Sequence, residues 1–295
     1  MNDVTNHRTQ LGANGQSKAL TYERQDDRSN ERTNVRYNHI TKEEMKETKF
    51  IAFSTQKGGA GKTTLTVLTA SYLHYVRGLN VGVVDCDFPQ FSIVDMRKRD
   101  FENIKGNEQL CKQAFEQCKR LSKKSYPIKD SRPEDAIDTG KEMAQDYDLD
   151  IVFFDLPGTL NNPEVLKVVS QMDYVFCPII ADKVVMESSL VFARLVNESL
   201  IIPGNGRIKG LHFVWNMVDG REKTRLYEVY DKIIAELGMD VLETVIPNSM
   251  RFRKEGDDKE QRPLFRSTVF PPDKTLIRGS NIRELTDEVL GIIKV

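Results

Sequence analysis

Cysteine is scarce in this chain. Cys86, Cys111, Cys118 and Cys177 are the four among 295 residues, and no two stand in a C-x-x-C spacing. That density excludes a disulfide framework and leads us to expect reduced thiols. The four histidines, His7, His39, His74 and His212, do not cluster with them, which argues against a zinc site. No apolar run approaches the ~18 residues needed to span a bilayer. The opening decapeptide, MNDVTNHRTQ, is polar, so no signal peptide is expected. An excess of one charge is also missing: 43 Lys+Arg against 44 Asp+Glu leave a net charge of −1. A globally basic nucleic-acid coat is therefore excluded, and any DNA binding has to come from a local patch. Hydrophobic residues make up 39%, which is on the low side, so part of the chain is expected to stay unpacked. What remains is a chain long enough for one large domain or two small ones, with a core that needs no staple.

Residues 1–48 read as a polar, disordered tail, because their sparse and aperiodic apolar residues cannot offset the entropy of ordering. Arg24, Arg28, Arg32 and Arg36 recur every four residues and would form one stripe on a helix, although Asp26, Asp27 and Glu31 dilute it. From 49 to 295 the texture is that of one domain. KFIAFST, NVGVVDCD, IVFFDLPG (151–158), YVFCPII (174–180), LHFVWNM (211–217) and VLETVIP (241–247) read as strands. Helical patterns separate several of them, notably at 183–200 and 222–237. Strands that are apolar throughout are buried on both faces, so the fold class is α/β with a mostly parallel central sheet flanked by helices. The stretch 97–149 is the least regular, with a basic helix over 107–124, an extended YPI piece and an acidic helix over 133–146.

The sharpest signal is Gln56-Lys57-Gly58-Gly59-Ala60-Gly61-Lys62-Thr63-Thr64, which follows a strand and opens a helix. Glycines let backbone N–H groups wrap a phosphate, and the helix N-terminus adds its dipole. Lys62 would reach the β- and γ-phosphates, and the Thr63 hydroxyl would serve Mg²⁺. Gln56 occupies the place of the first glycine in the ordinary G-x-x-x-x-G-K-[ST] pattern, and an extra lysine stands at 57. With each residue type at about 6–7% usage, six fixed positions match by chance about once in 10⁷ positions.

K-G-G-x-G-K-T-T after a strand resembles the deviant Walker A loop of the ParA/MinD family of ATPases. Further segments agree. VVDCD is similar to the family's D-x-D segment, which implies that Asp85 supports the Mg²⁺ shell and Asp87 orients the attacking water. The family usually continues D-P-Q, whereas this chain reads Asp87-Phe88-Pro89-Gln90. IVFFDLPG looks like the Walker B strand, which gives Asp155 a Mg²⁺-bound water and makes Pro157 and Gly158 the start of a second switch loop. FVWNMVDGR and ETVIPNSMRFRKE resemble the segments that face and close over adenine, so Asn216, Pro247 and Asn248 are expected at the base. The resemblance also implies that Lys57 crosses to the nucleotide of a second protomer, so that ATP and Mg²⁺ favour a homodimer and slow hydrolysis releases it.

ParA-type members bind DNA nonspecifically as ATP dimers, whereas MinD-type members use a basic amphipathic C-terminal helix on membranes. Here the last helix pairs an apolar face (Ile282, Leu285, Val289, Ile293) with Glu284, Asp287 and Glu288, so no membrane binding is expected. Basic candidates for DNA are Arg207, Lys209, Arg221, Lys223 and Arg225, with Arg251, Arg253 and Lys254 further on. The 48-residue tail is too short and polar for a helix-turn-helix, so operator binding is not expected. The resulting expectation is a cytoplasmic ATPase, nucleoid-associated if it binds DNA, that serves partition of a plasmid or mobile element with a ParB-like partner. The alternatives are a regulator of conjugative transfer acting through a protein partner, a MinD-like positioning ATPase, and a synthetase or kinase on the same scaffold. The kinase type carries a C-terminal tyrosine cluster, and the last tyrosine here is Tyr230.

Overall fold

The computed structural model describes residues 47–158, 162–220, 225–254 and 264–295. The arginine stripe at 24–36 and nearly all of the expected tail lie outside these residues.

The continuous apolar runs become strands: β1 (Lys49–Phe53), β2 (Val81–Asp85), β4 (Ile151–Asp155), β5 (Tyr174–Ile179) and β6 (Gly210–Trp215), with a short β3 (Ile128–Asp130) and β7 (Asp240–Val241) at the edges. They form one sheet in the order β3-β2-β4-β1-β5-β6-β7. Every pairing is parallel. The most apolar strands take the middle, and their alternate residues serve opposite faces. Phe50, Ala52, Val152 and Phe154 belong to one core layer. Ile51, Phe53, Ile151 and Phe153 belong to the other. Both faces are dry because helices cover both.

Among the described residues there are eight α-helices: α1 (Lys62–Tyr75), α2 (Ser92–Gly106), α3 (Glu108–Leu121), α4 (Ala136–Asp146), α5 (Pro163–Ser170), α6 (Lys183–Val196), α7 (Arg225–Glu236) and α8 (Ile282–Ile293). The π-helical turn Asn197–Ile201 extends α6. Residues of α4, α5, α6 and α7 fill the first layer. Residues of α1, α2 and α8 fill the second. Helix α8 buries Ile282, Leu285, Val289 and Ile293. Its acidic side is occupied as well: Asp287 pairs with Arg77 at 2.7 Å. Glu288 accepts the N–H groups of Glu243 and Thr244 at 2.7 and 2.9 Å. The apolar face of this helix is thus core. Among the described residues no helix is long and apolar enough to cross a membrane.

The helices expected over 107–124 and 133–146 are present as α3 and α4. Helix α3 lies outboard and buries only Gln117, whose side chain donates to the Val269 carbonyl at 2.8 Å. One segment differs from the pattern in the sequence. VLETVIP yields only the last residue of β7. Beyond it the chain still leans on β6, with Leu242 N–H donating to Phe213 at 2.7 Å and Ile246 N–H to Trp215 at 2.8 Å. Glu288 takes the intervening N–H groups and interrupts the ladder.

At the foot of the sheet Asp173 is fully buried and accepts the Phe50 N–H at 2.8 Å. Arg207 and Lys209 each donate to its other oxygen at 3.1 Å. Arg207 also pairs with Glu47 at 2.9 Å and lies over the Phe50 ring. The two DNA candidates Arg207 and Lys209 thus carry an internal ion pair while 36% and 46% of their side chains stay exposed. Their charge neutralises a buried carboxylate at the N-terminal edge of the strands.

Candidate functional site

The C-terminal ends of β1, β2, β4 and β6 converge on a cleft of about 710 Å³. This edge is where open parallel sheets bind ligands. The loop after β1 turns into α1 through Gly59 (φ 82°) and Gly61 (φ 91°), a conformation that side chains resist. A Cβ on Gly61 would also stand 2.4 Å from the Asn216 amide nitrogen. Gly58, Gly59 and Gly61 line the cleft with Lys62, Thr63 and Thr64, while Ala60 is buried behind them. Lys62 is 9% exposed, and its ammonium lies 3.4 Å from the Lys57 carbonyl, folded back along the loop. Lys57 itself is exposed and lies outside the cleft wall.

Thr63 donates its hydroxyl hydrogen to Asp155 Oδ2 at 2.8 Å. Asp155 Oδ1 is buried without a hydrogen-bond partner among the described residues. Burial pushes the Asp155 carboxyl up to about 7; the Thr63 bond opposes the shift and Asp85 adds to it. A buried, unpartnered acceptor beside a threonine hydroxyl and an ammonium suits Mg²⁺ with its water shell. Among the described residues no three His, Cys, Asp or Glu gather to chelate a metal outright. Gly158 closes the opposite side, where a Cβ would lie 3.2 Å from both the Gly58 nitrogen and the Lys62 ammonium.

Asp85, at the end of β2, is held by backbone. Its Oδ2 accepts the N–H groups of Ile93 and Val94 at 2.8 and 3.1 Å, and its Oδ1 accepts that of Asp87 at 3.3 Å. Burial raises its pKa and these three bonds oppose the rise. Both oxygens are taken by backbone, so the carboxylate anchors the start of α2 and the loop before it. Asp87, on that loop, lines the cleft, and its backbone carbonyl accepts Gln90 and Phe91 N–H at 2.7 and 3.0 Å. Phe88 and Gln90 line the cleft beside it.

Asn216 is likewise held by backbone. It is 5% exposed, its amide donates to the Ala60 carbonyl at 2.7 Å, and its oxygen accepts Met217 N–H at 2.9 Å. The side chain braces the glycine loop instead of offering its full edge to a base. Pro247 bridges to Val218, and Asn248 N–H donates to the Val218 carbonyl at 2.8 Å, which brings both to the cleft wall beside Met217 and Phe252.

Two residues of the cleft wall carry no nucleotide signature in the sequence. Arg253 lies in the segment expected to close over the base, where its charge places it among the DNA candidates. Arg266 belongs to no motif, yet its Nη1 donates to Thr64 Oγ1 at 2.6 Å. Of the other basic candidates, Arg251 donates to Leu276 O at 2.8 Å and to Arg278 O, so it fastens the chain before α8. Arg225 opens α7. Arg221 and Lys223 lie outside the described residues.

A family model for the CobQ/CobB/MinD/ParA nucleotide binding domain matches residues 51–261. A search of curated proteins finds no match. In fold the chain is similar to the cell division ATPase MinD of Pyrococcus furiosus (16% identity, 83% of this chain and 100% of that one, TM-score 0.54). It is also similar to the septum site-determining protein MinD of Pyrococcus horikoshii in complex with Mg-ADP (17% identity, 84% and 99%, TM-score 0.53). A Borrelia burgdorferi protein assigned to plasmid partition and bound to AMPPNP is comparable (17% identity, 84% and 98%, TM-score 0.52). At such identities the likeness shows the fold.

Proposed function

Because the chain belongs to the CobQ/CobB/MinD/ParA nucleotide-binding family, we propose that it is a Mg²⁺-dependent ATPase whose bound ATP gates a homodimer, and that this switch serves partition of a plasmid or mobile DNA element. The observation that carries the ATPase reading is the Thr63–Asp155 pair, with its second carboxylate oxygen buried and unpartnered beneath the glycine loop. Thr63 and Asp155 would hold Mg²⁺, the carboxylate through a water. When bound, the ion neutralises charge on the phosphate oxygens. Lys62 binds the β- and γ-phosphates. Asp87 orients the attacking water, since phosphoryl transfer depends mainly on positioning and charge placement. Asp85 holds the loop of Asp87 and is not assigned to the ion. Lys57, exposed at the rim, supplies a cation to the nucleotide of the second protomer, like an arginine finger.

The test uses Asp87→Ala and Lys57→Ala. Asp87→Ala binds ATP, fails to hydrolyse it and accumulates as dimer by light scattering; normal turnover excludes Asp87 as the orienting group. Lys57→Ala retains ATP binding but loses hydrolysis and dimer, and unchanged turnover refutes the role in trans. The Asp87→Ala dimer is then titrated with random-sequence duplex DNA across a salt series, with ATP or ADP. ATP-dependent binding that falls steeply with salt supports the DNA reading. One observation favours a second reading. Arg207, Lys209 and Arg251, three of the basic candidates, are engaged in internal bonds. An ATP dimer that ignores DNA at every salt concentration selects a switch read by a partner protein.

A further inference from the structure

Arg266 lines the cleft together with Lys62 and Arg253. Lys62 is accounted for by the outer phosphates, but Arg266 reaches the cleft from a segment that carries no nucleotide motif. Its Nη1 donates to the hydroxyl of Thr64, two residues further into α1 than Lys62. The Asn248 and Phe252 wall lies in the same cleft. In loops of this kind backbone N–H groups cradle the α- and β-phosphates, while the lysine and first hydroxyl serve the outer phosphates and the metal. A guanidinium at Thr64 therefore sits toward the nucleoside.

Arg266 is also held from behind with unusual thoroughness. Its N–H donates to the Lys254 carbonyl at 3.1 Å. The next two residues converge on one buried carboxylate: Asp100 Oδ2 accepts Ser267 Oγ at 3.1 Å, Thr268 N at 2.6 Å and Thr268 Oγ1 at 2.7 Å. Arg97, one turn earlier on α2, donates to Thr268 Oγ1 at 2.8 Å and to Thr268 O at 3.1 Å. Both α2 groups thus fix the backbone from which Arg266 extends. Helix α2 is in turn the helix whose first N–H groups Asp85 receives.

We infer that Arg266 is a nucleotide-binding residue that contacts the phosphate nearest the nucleoside, which nucleoside di- and triphosphates share, and that Asp100 is its positioning residue. The inference rests on the ATPase reading given above and deepens it. A guanidinium meets phosphate oxygens with charge-assisted, often paired hydrogen bonds. Its loss therefore weakens ATP and ADP by the same factor.

Dissociation constants for ATP and ADP are measured by titration calorimetry on the full chain and on Arg266→Gln, Arg266→Ala and Asp100→Asn. Arg266→Gln keeps a donor for Thr64 without the charge, so it carries the test if the alanine variant does not fold. The expected result is a loss of about tenfold or more for both nucleotides in Arg266→Gln. Asp100→Asn weakens both nucleotides in the otherwise unaltered chain and adds nothing in the Arg266→Gln background; a general loosening of the fold would add in both. Unchanged constants in a folded Arg266→Gln protein overturn the inference and leave the ATPase reading standing. A loss confined to ATP overturns it too, because it moves the guanidinium to the outer phosphate. An unaltered chain that binds neither nucleotide overturns both.

Discussion

Asp85 and Asp87 lie two positions apart, yet their carboxylates do different work. Asp85 receives three backbone N–H groups and is buried, while Asp87 lines the cleft. Helix α2 begins after Phe91 without a side-chain cap of its own, so Asp85 acts as a cap delivered from the end of β2. Asp85→Ala leaves these donors unsatisfied in a dry place. It should lower stability by about 1–3 kcal/mol, read from urea midpoints, and slow ATP hydrolysis more than it weakens ATP binding. The glycine loop was legible in the sequence because phosphate chemistry dictates residue types in fixed order over a few positions. The division of labour between the two aspartates was not, since D-x-D spells the same for either role. Asn216 lines the cleft, but its bond to Ala60 depends on how closely β6 approaches the loop. Arg266 was invisible for a simpler reason: it meets Thr64 across 202 residues of chain, and no local pattern encodes that meeting.

Elements were legible in proportion to their burial. β1, β4 and β5 are apolar throughout because helices cover them on both sides, and their sequences announce it. The region after β7 is the counter-case, shaped by a glutamate from the far end of the chain. Helix α8 shows the legible case at its strongest, with an apolar stripe that is core and an acidic side that grips Glu243 and Thr244. Leu285 is fully buried there. Leu285→Ala should cost about 2–5 kcal/mol in unfolding free energy, depending on how far the site collapses. A loss within a few tenths of a kcal/mol of zero by urea denaturation would show that α8 is not integral to the core.

At the scale of the whole molecule, stability should depend on pH through groups the cleft does not use. His74, at the end of α1, is packed between Tyr75 and Tyr126, with its Nε2 at 2.9 Å from the Lys124 carbonyl. Burial lowers its pKa from 6.5, and Lys123 lowers it further against the bond to Lys124. The unfolded chain therefore takes up a proton near 6.5 while the folded chain still resists it. Its contribution to stability is complete above that pH and is lost as pH falls toward the depressed folded value. Urea midpoints of His74→Gln should decline less steeply through this window than those of the unaltered chain; parallel curves would show that His74 does not titrate between the two states.

The arrangement around Asp173 bears on how the cleft moves. One buried carboxylate ties the entry of β1 to the entry of β6 through Phe50, Arg207 and Lys209. Those three anchors lie at the end of the sheet away from the nucleotide cleft. The sheet then behaves as a cantilever, clamped at its root and loaded at its tip. On the ATPase reading proposed above, a phosphate held at the cleft would load the tip at the Asp87 loop, while the clamped root keeps the central strands in register.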